Sequence, residues 1–243
     1  MIVGNEIRVA SLVRGIPVGE PLRRAQRLFH RVAQSWNVPV EVANDGDVTA
    51  LAGAMSLGVH GVFGIAMGSS EAAGYIDRTG RITGWLNELA FAPVDDQPGA
   101  PVDEWSGDRG VGALYFSQQA TNRLLPAAGI SLPPKLGLPE RRKALQELMA
   151  TADPRAAAIY ETIGGYLGHT LAFYAEFYDF HHVLVLGRVT TGRGGEILLE
   201  RAWRVLQQHN PALASRIAIH VPDEKNRRVG QAVAAASLPS LAR

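Results

Sequence analysis

The chain has no cysteine in 243 residues, and that absence removes several chemistries at once. No disulfide framework, thiol nucleophile or cysteine-ligated zinc can be built from it; a reducing compartment fits, and the cytoplasm is the expected location. An excess of either charge is missing too: 24 Lys and Arg against 23 Asp and Glu leave a formal charge of +1. So even a balance supplies no broad basic surface, and neither nucleic acid nor a membrane is expected as a partner. No apolar run approaches the roughly 20 residues that cross a bilayer, and no basic stretch followed by an apolar core opens the chain. Solenoid-period repeats and low-complexity segments are also lacking. What is there is 47% hydrophobic residues, enough for a substantial core in one large domain or two lobes.

Chemistry concentrates at Val40-Glu41-Val42-Ala43-Asn44-Asp45-Gly46-Asp47. An apolar strand that stops at Asn44-Asp45 and turns into an Ala-rich helix delivers a carboxylate to a helix start, where negative charge is favoured. Upstream, Ile7 to Val13 alternates weakly as a strand does. Glu20 to Trp36 reads as one helix, with Leu22, Ala25, Leu28, Phe29, Val32 and Trp36 on one face and Arg23, Arg24, Arg27 and Arg31 on the other. In a near-neutral chain those arginines read as a solvated face.

Downstream, the apolar run Val62 to Met67 empties into Gly68-Ser69-Ser70-Glu71-Ala72-Ala73-Gly74, a candidate anion site, and Tyr75 to Ile82 reads as a β-hairpin. Gly84 to Gly112 is a long aperiodic stretch, functional or disordered, whose acids (Asp95, Asp96, Asp103, Glu104, Asp108) lack calcium-loop spacing. Helices are expected over Gly112–Leu125 and Pro139–Met149, and from an Asp153 N-cap with Pro154 at the first position, the last carrying an aromatic stripe that reads as core. A buried strand at 181–187, a Gly-rich turn at 191–195, a helix at 196–208, a strand at 217–222 and a terminal helix at 227–238 complete a β-α-β-α ending. That alternation argues for a three-layer α/β architecture. His181 and His182 adjoin on a strand, point to opposite faces and do not share one ion.

This order of features resembles the ROK group of sugar kinases and repressors, within the actin-like ATPase (ribonuclease H-like) superfamily. The likeness begins near Gly15-Ile16-Pro17-Val18-Gly19-Glu20-Pro21-Leu22, continues through Pro39-Val40-Glu41-Val42-Ala43-Asn44-Asp45 and recurs to the C-terminus. It implies Asp45 as the base that takes the proton from a sugar hydroxyl attacking ATP, and Asn44 and Glu88 beside the sugar. It implies phosphate contacts from Gly68, Ser69 and Ser70, and an adenosine segment at Gly187-Arg188. ATP and magnesium would be the cofactors, and phosphoryl transfer asks mainly for positioning and charge neutralisation around such a carboxylate. Read from the residues alone, Asp45 is equally a helix-capping aspartate, Glu88 a surface acid and Arg188 a solvated strand end.

The departures from the family pattern are specific. Ser70, Ala72 and Ala73 replace glycines of the phosphate loop, and Glu71 adds a carboxylate that would oppose a phosphate. Phe91 stands where a histidine is usual, Ala113 where a second sugar-binding glutamate is usual, and the zinc cysteines are missing, so no zinc is expected. No Asp-x-Gly-Gly-Thr phosphate loop is present, so the expected organisation is the larger C-terminal lobe. Residues 1–45 would be a remnant of the N-terminal lobe, 46–225 the C-terminal lobe and 226–243 a helix returning to the first. Three readings follow: an ATP-dependent sugar-kinase-like phosphotransferase or its larger lobe, a degenerate pseudoenzyme that binds a carbohydrate-like ligand, or an oligomerising domain. A homodimer is the expected assembly.

Overall fold

A computed structural model describes residues 2, 3, 6, 7, 13, 15–37, 40–221, 230 and 232–238. A short antiparallel pair, β1 (Ile2–Val3) and β2 (Glu6–Ile7), precedes two helices, α1 (Glu20–Gln26) and α2 (Leu28–Trp36). The strand expected over 7–13 is represented by Ile7 in β2; residues 8–12 lie outside the described ones. The helix expected over 20–36 divides at Arg27, at the middle of its arginine face (φ −99°, ψ 15°). Its apolar face is left largely uncovered, with Trp36 71% and Phe29 46% exposed.

The centre is a four-stranded sheet in the order β4-β3-β5-β6, formed by β3 (Val62–Met67), β4 (Glu71–Ile76), β5 (His182–Leu186) and β6 (Ala218–His220). β3 and β4 are an antiparallel hairpin, Val62 opposite Ile76 and Met67 opposite Glu71, whereas β3, β5 and β6 run parallel. Residues 40–44 have no strand partner among the described residues, so the expected strand into Asn44 is extended chain only. The hairpin expected at 75–82 is a single bridge, Ile76 to Ile82, around a turn in which the Asp77 carboxylate accepts from Thr79 and Arg81 amides.

Helices cover both faces of the sheet. On one face α3 (Asp45–Leu57) and residues 232–238, a helix here called α9, close a core with Val62, Ile76, Leu184 and Leu186. On the other lies the larger core of α4 (Gln118–Leu124), α5 (Leu138–Ala150), α6 (Pro154–Tyr174) and α7 (Gly192–His209), followed by α8 (Pro211–Ala214). Asp153 caps α6 as its sequence predicts, its carboxylate accepting from the Arg155 amide. Within the aromatic stripe Tyr160 and Tyr174 are core, whereas Phe173 and Phe177 are exposed.

Glycines of the 191–195 stretch are used differently from the expected turn. Gly192 opens α7, and Gly194 and Gly195 sit inside its first turn, pressed against the Tyr160 ring and the Thr190 backbone. Close packing demands them there. The same economy governs the helix that carries Asp45: Gly46 lies against the backbone of Ala73, and Gly74 against the carbonyl of Gly46.

Candidate functional site

α3 begins where Asn44, with extended backbone (φ −69°, ψ 144°), hands over to Asp45. Asp45 is exposed, and its Oδ1 accepts from the Gly46 amide at 2.9 Å, one of the first-turn donors that a helix leaves without an internal partner. A carboxylate there is favoured by the positive end of the helix. The N-cap is Asn44 and Asp45 the first helical residue, so Asp45 takes up a first-turn amide without being the cap itself, and its exposure is compatible with the base reading.

Asp47, three residues after the N-cap, is the buried hub of this region and is 3% exposed. Its Oδ1 accepts from Asn87 Nδ2 at 2.7 Å and from the Tyr75 amide at 3.2 Å, and the Asn44 side chain donates to it as well. Asn87 is fixed in turn by the Tyr178 hydroxyl, which donates to its Oδ1 at 3.1 Å. Burial pushes the Asp47 carboxyl up to about 6, its three hydrogen bonds pull it back, and the charge of Glu88 raises it further. Asp47 therefore holds Asn44 and Asn87 by hydrogen bonds, with the Glu88 charge within electrostatic range of it. The sequence reading passed over Asp47; the signal was an acid at the third helical position after an Asn cap, the spacing of a capping box.

Above this hub stands a small aromatic wall. Trp85, half exposed, stacks on Tyr75 with centroids 5.9 Å apart and tilts against Tyr178 at 5.8 Å.

The remaining candidate residues form a second group at the carboxyl ends of the parallel strands. Residues 68–70 are the turn of the β3–β4 hairpin, closed by Gly68 N donating to Ser70 O at 3.0 Å, with Ser69 and Ser70 exposed. Gly187, at φ +104°, ends β5 where any side chain would strike the Met67 backbone, and exposed Arg188 follows it. Asp47 bonds at Tyr75, opposite Phe63, while the turn follows Met67, so the two groups are separated along β3 by roughly 13 Å. Crevices at the carboxyl ends of parallel strands are the ordinary ligand position in open α/β sheets.

Two expectations are corrected here. Residues 71–74 are strand β4, so the small residues after Ser70 serve the approach of α3 and do not form a phosphate cradle. Glu71 does not face the turn's solvent side: it shares a sheet face with Ala73 and Tyr75 and is 5% exposed. Neither carboxyl oxygen has a hydrogen-bond partner among the described residues, and burial pushes the group up to about 8, which favours the protonated form at neutral pH.

The aperiodic stretch at 84–112 is tied down by its own acids. Asp95 accepts from the Tyr115 hydroxyl at 2.6 Å and the Tyr166 hydroxyl at 3.1 Å, while Asp103 accepts from the amides of Trp105 and Ser106. Phe91 stacks on Trp105 at 5.2 Å, and Ala113 is buried. His182 meets His220 across β5 and β6 at 3.0 Å, whereas His181 faces Arg78. Among the described residues no group of three or more His, Asp or Glu side chains is placed to hold a metal ion, and no helix is long and apolar enough to cross a membrane.

Solved structures with this fold define its class: it is the fold of the ROK kinases and regulators, an actin-like ATPase fold. A ROK hexokinase from Thermus thermophilus matches with a TM-score of 0.66 at 20% identity, over 90% of this chain and 70% of that one. A ROK family transcriptional regulator, a homolog of the E. coli MLC protein, matches with a TM-score of 0.68 at 20% identity, over 88% and 56%. A ROK family glucokinase from Streptomyces griseus, solved with glucose and AMPPNP, matches with a TM-score of 0.65 at 20% identity, over 90% and 73%. At such identities the likeness defines the fold. By sequence, no family model and no curated protein matches the chain.

Proposed function

We propose that this chain carries the carboxylate half of a ROK-type phosphotransferase site, with Asp45 as the base that accepts a proton from a sugar-like hydroxyl. The observation that carries this reading is the exposed Asp45 carboxylate at a helix start, next to Asn44 held by the buried Asp47, whose carboxyl also senses the Glu88 charge. It occurs in a fold shared with a glucokinase solved with glucose and a nucleotide analogue. Gly68, Ser69, Ser70, Gly187 and Arg188 supply backbone, hydroxyl and guanidinium donors at the strand ends, where a triphosphate would lie. Magnesium would come with the nucleotide and would neutralise charge on its phosphates, as is usual for this ion. Residues 1–45 and 226–243 belong, in this reading, to a second lobe.

The test is ADP release in the presence of ATP, magnesium and a panel of hexoses and N-acetylhexosamines, using the full natural chain. Asp45→Asn should lower turnover by ~10²- to 10⁴-fold. Because Asp45 is exposed, the fold should persist, with an unchanged circular dichroism spectrum. A protein that binds no nucleotide by calorimetry sinks the kinase reading.

A second reading has its own support. Phe91 and Ala113 place an aromatic stack and a buried methyl where the family carries polar sugar ligands, and the fold is shared with a transcriptional regulator. A pocket with fewer hydrogen-bonding groups binds a less hydroxylated ligand, without turnover. Sugar-dependent thermal stabilisation with no phosphate transfer would select it.

A further inference from the structure

The two helices before the Asp45 region carry a charge pattern that the proposed phosphotransfer does not use. Glu20, Arg23, Arg24, Arg27, His30, Arg31 and Gln34 line a surface groove of about 600 Å³ along α1 and α2. Their spacing of three and four residues keeps them on one face over roughly 21 Å of helix. The helical path breaks at Arg27, in the middle of this row.

The groove holds four guanidinium groups against one carboxylate, in a chain whose whole formal charge is +1. Glu20 is already engaged by Arg23 at 3.3 Å. Arg24, Arg27 and Arg31 are exposed and have no carboxylate partner among the described residues. Like charges at these spacings repel one another, so the empty groove is the less favourable state and an anion bridging the row removes that repulsion. The exposed apolar residues Leu28, Val32 and Trp36 point to the opposite side and do not line it.

Guanidinium forks match phosphate oxygens in two-point hydrogen bonds, and a row of them matches phosphates linked in series better than an isolated anion. We propose that the α1–α2 groove is a binding site for a ligand with clustered phosphates, separate from the nucleotide position at the strand ends. Exposed Gln34 adds a neutral amide donor at one end of the row.

Inorganic tripolyphosphate is the probe, read by titration calorimetry and thermal shift in low-salt buffer. Binding should raise the melting temperature, weaken as salt rises, and fall about tenfold or more in Arg27→Gln/Arg31→Gln. Gln34→Glu, which adds a carboxylate at an exposed position, should weaken it in the same direction if the double variant does not fold. Asp45→Asn should leave it unchanged, so the outcome stands apart from that of the kinase reading. Phosphatidylcholine vesicles with and without phosphoinositides distinguish the source: vesicle binding lost in the arginine variant assigns a lipid headgroup, and binding of tripolyphosphate alone assigns a soluble ligand. The proposal is overturned if tripolyphosphate does not bind or if the arginine and Gln34 variants bind it as the parent does. Loss in Ser69→Asp instead, or tighter binding of a DNA duplex, overturns it as well.

Discussion

Replacing Glu71 by leucine should remove a pH dependence of stability that the parent fold carries. The Glu71 carboxyl is held in the core with both oxygens unpartnered, and burial raises it from an ordinary 4.5 to about 8. The folded state therefore keeps a proton that the unfolded chain releases. Stability from this group is fully present below pH 4.5 and is lost as pH rises toward 8. At ~1.4 kcal/mol per unit the whole shift corresponds to ~5 kcal/mol as an upper figure. The informative window is pH 6.5 to 8. Asp47, raised to about 6, loses its contribution with the same sign but at lower pH. The depressed His169 and His182 act in the opposite direction, with stability gained as pH rises and complete above the ordinary histidine range. Across that window urea denaturation of the parent should show stability falling by roughly 2 kcal/mol, and Glu71→Leu should be flat and more stable at the alkaline end. A parent that is flat across the window, or a variant that keeps the slope, refutes the assignment of a neutral buried acid.

Other consequences follow from the packing. Gly74→Ala places a methyl against the Gly46 carbonyl and the Asp47 amide, backbone that cannot yield, and should cost about 3 kcal/mol in denaturant titrations. Gly165→Ala, in the middle of α6 with open space around it, is the matched control and should gain up to about 1 kcal/mol. Asp95→Ala strips the Tyr115 and Tyr166 hydroxyls of their acceptor and should cost about 2 kcal/mol at neutral pH. The Asp95 carboxyl is held low chiefly by the Tyr115 hydrogen bond, so the penalty should shrink as pH falls through its folded value.

Local chemistry made much of this molecule legible from sequence. The Asp153-Pro154 start of α6, the apolar runs of β3 and β5 and the β-α-β-α ending announce themselves through capping and periodicity, which are properties of neighbouring residues. The Asn44-Asp45 junction is of the same kind, and a helix does begin there.

Partnership across the fold was not legible. Glu71 belongs to a strand and faces the core because β4 pairs with β3 in the register Met67–Glu71, and no local pattern encodes that register. The small residues at 72–74 look like a flexible loop until α3 is seen to lie against them, and Asp47 looks like one more acid in a helix start until Asn87 and Tyr75 close on it. Sequence determined where capped helices such as α3 and α6 begin and which residue types each segment offers, because those depend on contacts a few residues apart. Which of the acids is exposed at a helix end, buried as a hub or kept protonated in the core was decided by tertiary structure alone, because burial and partners come from distant segments, the hydrogen bonds to Asp47 spanning 28 and 40 residues.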